Sequence, residues 1–471
     1  MNRDNCSGIV PLTGRLEPWQ REVCDRPGLL ADWIAEFGSP LNVLNTDPFA
    51  RNAAKLQRAA TACGIDLAIY FARKANKALA FVDEAKRLGL GVDVASEREL
   101  RQVLERGMPA DKVVVTAAVK PRALLELCVA SGVTVAIDNN DEFELLLRAA
   151  AELKSRTSVA FRLAPRLPGR TPSRFGLDHE QILALVEQHC AASRDAEIQV
   201  AGVHFHLDGY AIDDRVAALG QSVQLIDALR VLGHSPTFID LGGGVPISYL
   251  DDAGEWDRFW REHRAAVLGD REPLTFEGHG LGLMGYGREI VGSPNVYPYY
   301  QHPTGGAWLK QVLGTSAAEI TSRGLELRCE PGRALLDGCG LTIACVTFRK
   351  QRRDGAWLIG VAMNRTQCRS TSDDHLVDPL LVRPGTMLSQ PPSPPIEGYL
   401  VGAYCIEREL LTWRRLRFPH GVQVGDIVAF PNTAGYLMHI LESASHQIPL
   451  ARNVVISDAE GVKLDLIDAA P

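Results

Sequence analysis

Lys74 stands in the run Tyr70-Phe-Ala-Arg-Lys-Ala-Asn-Lys77, directly after the apolar stretch Asp66-Leu-Ala-Ile-Tyr-Phe-Ala72. A strand that ends on a lysine presents an amine at its C-terminal mouth, where a parallel α/β barrel keeps its chemistry. Leu79, Phe81, Val82, Ala85 and Leu88 then recur at helical spacing, so Lys74 is expected at a strand-to-helix junction. A desolvated lysine there can form a Schiff base with a carbonyl compound. Asp240-Leu-Gly-Gly-Gly-Val245 follows another strand, and consecutive glycines let backbone N–H groups approach an anion, although tight turns use glycines too. Glu330-Pro-Gly-Arg333 sets a carboxylate and a guanidinium three residues apart after Leu327-Arg-Cys329. The first can hold a ring nitrogen protonated and the second can bind phosphate bidentately. Gly202-Val-His-Phe-His206 carries two histidines on one side of a strand, readable as polar core residues; no third ligand at useful spacing supports a metal site.

The elements that position these groups alternate from about residue 40 to 340 between short apolar strands and amphipathic helices, the pattern of a parallel α/β barrel. Candidate strands are Leu41–Val43, Leu67–Phe71, Gly91–Val94, Val113–Thr116, Thr134–Asp138, Val159–Leu163, Val200–Phe205, Thr237–Leu241 and Leu327–Glu330. Eight strand-helix units closing on themselves fit this count better than an open sheet, because no GxGxxG follows the first strand. Ser96-Glu-Arg-Glu99 reads as a capping box opening a helix that ends at Gly107. After Gly340 the pattern becomes alternating strands between Pro- and Gly-rich turns (Leu341–Val346, Trp357–Ala362, Glu397–Val401, Asp426–Phe430), an all-β domain. The reading is an N-terminal segment 1–40 packing on the β domain, a (β/α)8 TIM-type barrel at 41–340 and a C-terminal β domain at 341–471. Glu277 to Gly306, rich in Gly, Tyr and Pro, exceeds a minimal barrel loop and is expected to be an ordered active-site or interface element.

With 471 residues the chain suits two domains, and its 46% hydrophobic and 23% charged content is ordinary for a globular protein. A formal charge of −7 gives no reason to expect nucleic acid or an anionic membrane as partner. The absence of an 18-residue apolar run and of a signal-peptide pattern at Met1-Asn-Arg-Asp-Asn-Cys6 points to the cytoplasm. The ten cysteines show no CxxC spacing, and only Cys405 attracts a chemical reading.

Taken in order, these segments resemble the fold-type III pyridoxal-phosphate enzymes, specifically the ornithine/diaminopimelate decarboxylase family, across about residues 40 to 455. The resemblance implies pyridoxal 5'-phosphate as cofactor, with Lys74 forming the internal aldimine, His206 stacked on the pyridine face and Arg162 near the phenolic oxygen. It further implies that Gly242, Gly243, Gly244, Arg333 and Tyr436 hold the phosphate, that Glu330 pairs with the pyridine nitrogen, and that Asp93 lies at the barrel mouth. Gly402-Ala-Tyr-Cys405 resembles the segment whose cysteine the second subunit of a homodimer donates as general acid. Substrate contacts are expected from Arg365, Asp373, Asp374, His375 and Glu407, a polar set of both charges that suits a cationic or a carboxylate-bearing substrate. Two departures bear on specificity: His206-Leu-Asp-Gly209 replaces the usual His-x-Gly-Ser, and the apolar Ile406 after Cys405 disfavours diaminopimelate. The implied reaction is decarboxylation of a diamino acid of L or D configuration, or of an amino acid conjugate. Alternatives are a racemase or epimerase on the same scaffold, whose pattern has an arginine facing the ring nitrogen and a tyrosine base, and a non-catalytic decarboxylase-like binding protein.

Overall fold

The computed structural model describes residues 5–192, 197–370, 375–384, 394–457 and 461–469. Eight parallel strands close into a barrel: β1 (Leu67–Ala72), β2 (Gly91–Val94), β3 (Val113–Val115), β4 (Thr134–Ile137), β5 (Thr157–Arg162), β6 (Ile198–His204), β7 (Phe238–Asp240) and β8 (Glu326–Cys329). Each pairs with its successor, and β8 closes on β1 through Leu327 opposite Leu67. All of β2 and β3 is buried, because barrel strands have side chains on one face and helices on the other. That is why they read as short unbroken apolar runs rather than alternations.

Local capping fixes where the helices start. In the helix Glu97–Glu105 the Ser96 hydroxyl accepts from the Glu99 N–H at 3.2 Å, while the Glu99 carboxylate accepts from the N–H of Ala95 at 2.7 Å. The reciprocal half of the expected box is thus displaced by one residue. Asn139 caps the helix Asn140–Leu153 in the same way, accepting from Glu142 N at 2.9 Å. Behind that helix a buried ion pair joins Lys120 to Glu142 at 2.9 Å, with Lys120 also donating to the Ala117 carbonyl at 2.8 Å.

The strand Leu41–Leu44, expected in the barrel, instead lies in the β domain, antiparallel to Gly340–Ile343 and parallel to Arg452–Val455. Asn42 gives the physical reason: its buried side chain accepts from Thr342 Oγ1 at 2.8 Å and donates to Asn453 Oδ1 at 3.1 Å, partners available only in that sheet. A four-residue apolar run has no period that separates the two settings. The long strand Gly340–Gln351 is the spine of this domain, pairing with Leu41–Leu44, Ile427–Pro431 and Trp357–Val361 along its length. Leu16 and, from the helices Pro18–Cys24 and Pro27–Phe37, Val23, Leu30 and Trp33 share a core with Leu41, Val43, Leu341 and Ile427.

Within 277–306 the chain forms a hairpin, Leu283–Tyr286 with Glu289–Gly292, that leaves Met284 and Tyr286 exposed, and then turns inward to bury Tyr297 and Tyr299. Among the described residues no helix is long and apolar enough to cross a membrane. Removing one member of the buried Lys120–Glu142 pair strands a charge, so Lys120→Ala should destabilise the chain by about 3–5 kcal/mol in urea unfolding. Lys120→Met combined with Glu142→Leu should recover most of that loss. An unchanged unfolding midpoint in the single variant would show that the pair does not brace the barrel.

Candidate active site

The C-terminal ends of β1, β2, β5, β6, β7 and β8 converge on one mouth and bring most of the chemically readable residues with them. Lys74 follows β1 in the single turn Arg73–Ala75, and its Nζ lies 3.2 Å from Asp93 Oδ2 on β2. The other Asp93 oxygen accepts from Thr116 Oγ1 at 2.5 Å, which orients the carboxylate toward the amine. Burial disfavours the charge on Lys74, but Asp93, Glu330 and Tyr436 outweigh it, so its pKa is raised.

Arg162, at the end of β5, is buried against Asp138 at 3.2 Å with its guanidinium 4.2 Å from the centre of the Phe175 ring. His206 Nδ1 accepts from the Gly243 N–H at 3.1 Å. Burial, and then repulsion from Lys74, hold its pKa far below the ordinary histidine value, so the imidazole is neutral with its proton on Nε2. Gly242 and Gly244 adopt φ of 66° and 84°, and a Cβ on Gly243 would stand 2.8 Å from the Glu330 carbonyl oxygen. The turn between β7 and its following loop therefore accepts only glycine.

Arg333 donates to the Tyr249 hydroxyl at 2.6 Å and the Gly435 carbonyl at 3.0 Å, and its guanidinium sits 4.2 Å from the Tyr297 ring centre. Tyr436 comes from the β domain at φ 70°, where its N–H donates to the Ala75 carbonyl at 2.8 Å, locking that loop to the Lys74 turn. Glu330 is 1% exposed, and among the described residues no backbone N–H or cationic side chain donates to its oxygens; its one polar partner is the neighbouring Asp240 carboxyl. His204 Nε2 lies 3.3 Å away without hydrogen-bond alignment, and Asp240 completes a buried trio. Burial, reinforced by Asp93, raises the pKa of Glu330; burial, reinforced by Glu330, raises that of Asp240.

The mouth opens into a cavity of about 1440 Å³ that His206, Tyr210, Gly244, Arg333, Ser370 and Tyr436 help to line. That exceeds the roughly 300–1,000 Å³ of an ordinary small-molecule site, leaving room for a cofactor and a substrate together. The residues fit pyridoxal phosphate: a buried carboxyl lacking a backbone or cationic donor matches a protonated ring nitrogen, the glycine turn and Arg333 match a phosphate, and Lys74 matches an aldehyde.

A family model described as "Pyridoxal-dependent decarboxylase, pyridoxal binding domain" matches residues 50–272. An uncharacterised protein of Sinorhizobium fredii, y4yA, is 33% identical over 445 residues, which cover 92% of this chain and 91% of that protein. The chain belongs to the pyridoxal-dependent decarboxylase family. The diaminopimelate decarboxylase of Zymomonas mobilis is 23% identical over 444 residues, covering 91% of this chain and 90% of that one. A solved diaminopimelate decarboxylase from "m. jannaschi" shares the fold at TM-score 0.70 and 19% identity, covering 92% of this chain and 90% of that one. The protein is thus a pyridoxal-phosphate-dependent amino acid decarboxylase with the barrel and β domain of its relatives.

Of the expected residues, His206, Gly244, Arg333 and Tyr436 line the cavity of this decarboxylase itself, and Lys74, Asp93, Arg162, Gly242, Gly243 and Glu330 are not among its lining. His375 is fully buried between the Tyr299 and Phe430 rings, at 6.0 and 5.6 Å between centres, which corrects its expected place at the substrate; a histidine in a polar run gave no sign of this burial. Arg365 pairs with Glu409 at 3.4 Å and braces the Cys405 loop instead of lining the cavity. Cys405 and Glu407 are exposed on that loop and are not among the residues lining the cavity. Asp373 and Asp374 lie outside the described residues.

Tyr249, which accepts from Arg333, sits in an irregular segment without a sequence signal, whereas Tyr297, whose ring Arg333 covers, belongs to the Tyr-rich stretch 277–306 expected at the active site or an interface. Asp138 could have been found: like Asp93 it ends an apolar barrel strand.

Since Glu330 keeps its proton to higher pH when folded than when unfolded, where a glutamate titrates at about 4.3, the cofactor-free protein loses stability as pH rises from there through the raised value. Glu330→Gln should therefore raise the melting temperature of the cofactor-free protein at about pH 8 but little near pH 4, while depressing turnover by on the order of 100-fold. Melting curves that track wild type at every pH would contradict the buried carboxylate's assigned cost.

Proposed function

We propose that the protein decarboxylates a diamino acid, of L or D configuration, or an amino acid conjugate, with Lys74 carrying the cofactor and Cys405 of a second copy acting as general acid. The observation that carries this reading is Glu330, a buried carboxyl at the floor of the mouth that receives no backbone or cationic donor among the described residues. When bound, the cofactor supplies an electron sink for the pair left on the α-carbon as carbon dioxide departs. Glu330 holds the proton on the ring nitrogen that makes the sink effective. Asp93 keeps the Lys74 amine placed, and the neutral His206, pinned through Nδ1, offers a flat face for the ring to stack on. Arg162 would stand by the phenolic oxygen, while Gly242, Gly243, Gly244, Arg333 and Tyr436 would hold the phosphate.

Cys405 would return a proton from its Sγ–H to the α-carbon. Its loop is braced, with the Tyr404 hydroxyl donating to the Ser443 carbonyl at 2.6 Å and the Gly402 N–H to the Glu409 carbonyl at 3.0 Å. An exposed thiol on a braced loop, outside the lining of its own chain's cavity, supports delivery across a homodimer. The family relatives named as diaminopimelate decarboxylases support a diamino acid as substrate class. At the rim, Asp208 has no cationic partner and Arg174 no carboxylate partner among the described residues, so a charged distal group of either sign meets its complement.

Carbon dioxide release from the cofactor-loaded protein should be seen with one of L- or D-lysine, ornithine, arginine, diaminopimelate or carboxylated diamine conjugates. A product that is instead the mirror-image amino acid, with no carbon dioxide, would replace decarboxylation by racemisation. Mixing inactive Lys74→Ala with inactive Cys405→Ala protomers should restore part of the activity through hybrid dimers. No recovery after demonstrated subunit exchange would contradict a shared site.

A further inference from the structure

Arg215, in the helix Ile212–Val231, is fully buried directly behind the glycine turn. Its Nη2 donates to the carbonyls of Leu207 and Gly209, both at 3.0 Å, and reaches the Gly243 carbonyl at 3.5 Å. Its Nε and Nη1 are buried with no hydrogen-bond partner, and no carboxylate lies within ion-pair range among the described residues. The neighbouring Asp214 is taken by Arg170 at 3.0 Å. A buried guanidinium without an anion is costly, so it persists where an anion completes it. Burial lowers its pKa to about 10, with Asp214, Tyr210 and Asp208 opposing.

The three carbonyls it gathers determine where the next three N–H groups point. These peptide bonds are trans, so each N–H is directed opposite to the carbonyl before it. The N–H groups of Asp208, Tyr210 and Gly244 therefore face away from Arg215, and all three residues line the cavity. None of these N–H groups donates to an acceptor among the described residues. Trp308 stiffens the arrangement by donating from Nε1 to the Tyr210 carbonyl at 2.8 Å. Three unfilled N–H groups with a cation behind them form an anion nest. Neither Asp208 nor Gly209 contributes a hydroxyl to it.

We propose that Arg215 is a positioning residue for the cofactor's phosphate: it turns the Asp208, Tyr210 and Gly244 N–H groups toward the phosphate and supplies a buried positive charge behind them. The proposal rests on the reading that the phosphate lies on the Gly242–Gly244 turn. Gly244 marks how tightly the pieces fit, since a Cβ there would stand 2.1 Å from Arg215 Nη2.

The test compares the affinities of the full-length, cofactor-stripped protein for pyridoxal phosphate and for pyridoxal, which lacks the phosphate. Arg215→Met should weaken pyridoxal phosphate binding by roughly 10- to 100-fold, as expected for hydrogen bonds to a charged group, and leave pyridoxal binding within about twofold. Its cofactor-free melting temperature should stay close to that of wild type, because losing an unpaired buried charge offsets losing the carbonyl contacts. Arg215→Lys, which keeps the charge but on a compact ammonium in place of the planar guanidinium, should retain part of the phosphate preference. Equal weakening of both ligands, or failure of both variants to fold, would overturn the proposal by making Arg215 a purely structural residue. Arg333→Met separates the two layers of the argument. If it abolishes the preference for the phosphorylated ligand while Arg215→Met does not, Arg215 alone is misassigned; if neither variant alters that preference, the phosphate is not on this turn and both readings fall.

Discussion

Two buried carboxyls, Glu330 and Asp240, share the centre of the barrel mouth with a histidine, and among the described residues no backbone N–H or cationic group donates to Glu330. A folded chain keeps such a group only where something else meets it. The rest of the site is arranged around this demand. Lys74 and Arg162 lower the pKa of Glu330 from two sides, and Asp93 opposes them while holding Lys74 in place. The same floor that is costly in the cofactor-free protein matches a protonated aromatic nitrogen.

The two domains meet where this chemistry is assembled. Asn76, just past Lys74, donates to the Ala434 carbonyl at 2.9 Å, and the Tyr436 N–H returns to Ala75 at 2.8 Å. The β domain thus fixes the Lys74 turn from above, while barrel strands fix it from below. Arg333 crosses the same boundary by bonding to Gly435. A lone barrel would lack Tyr436 and this bracing, which explains the structural purpose of the second domain within one chain.

What the sequence made legible follows from how each residue is placed. Lys74, Asp93, Arg162, His206 and Glu330 end apolar barrel strands or follow them closely, so strand direction alone sends them toward one mouth. The glycine triplet declares its turn because no other residue tolerates it. Leu41–Val43 was not separable from a barrel strand, since both settings bury a short apolar run, and only Asn42's partners distinguish them. His375 looked accessible within a polar stretch, but its burial depends on Tyr299 and Phe430, distant in sequence. Arg215 was silent for the same reason: a helix-borne arginine is ordinarily a surface residue, and only the fold brings it behind Gly209 and Gly243.

The most direct test of the central claim is to load the protein with pyridoxal phosphate, reduce it with borohydride and map the modified peptide by mass. The account predicts a pyridoxyl group on Lys74, within the peptide that follows Phe71. Modification confined to another lysine, or none in a protein that has taken up the cofactor, would contradict it.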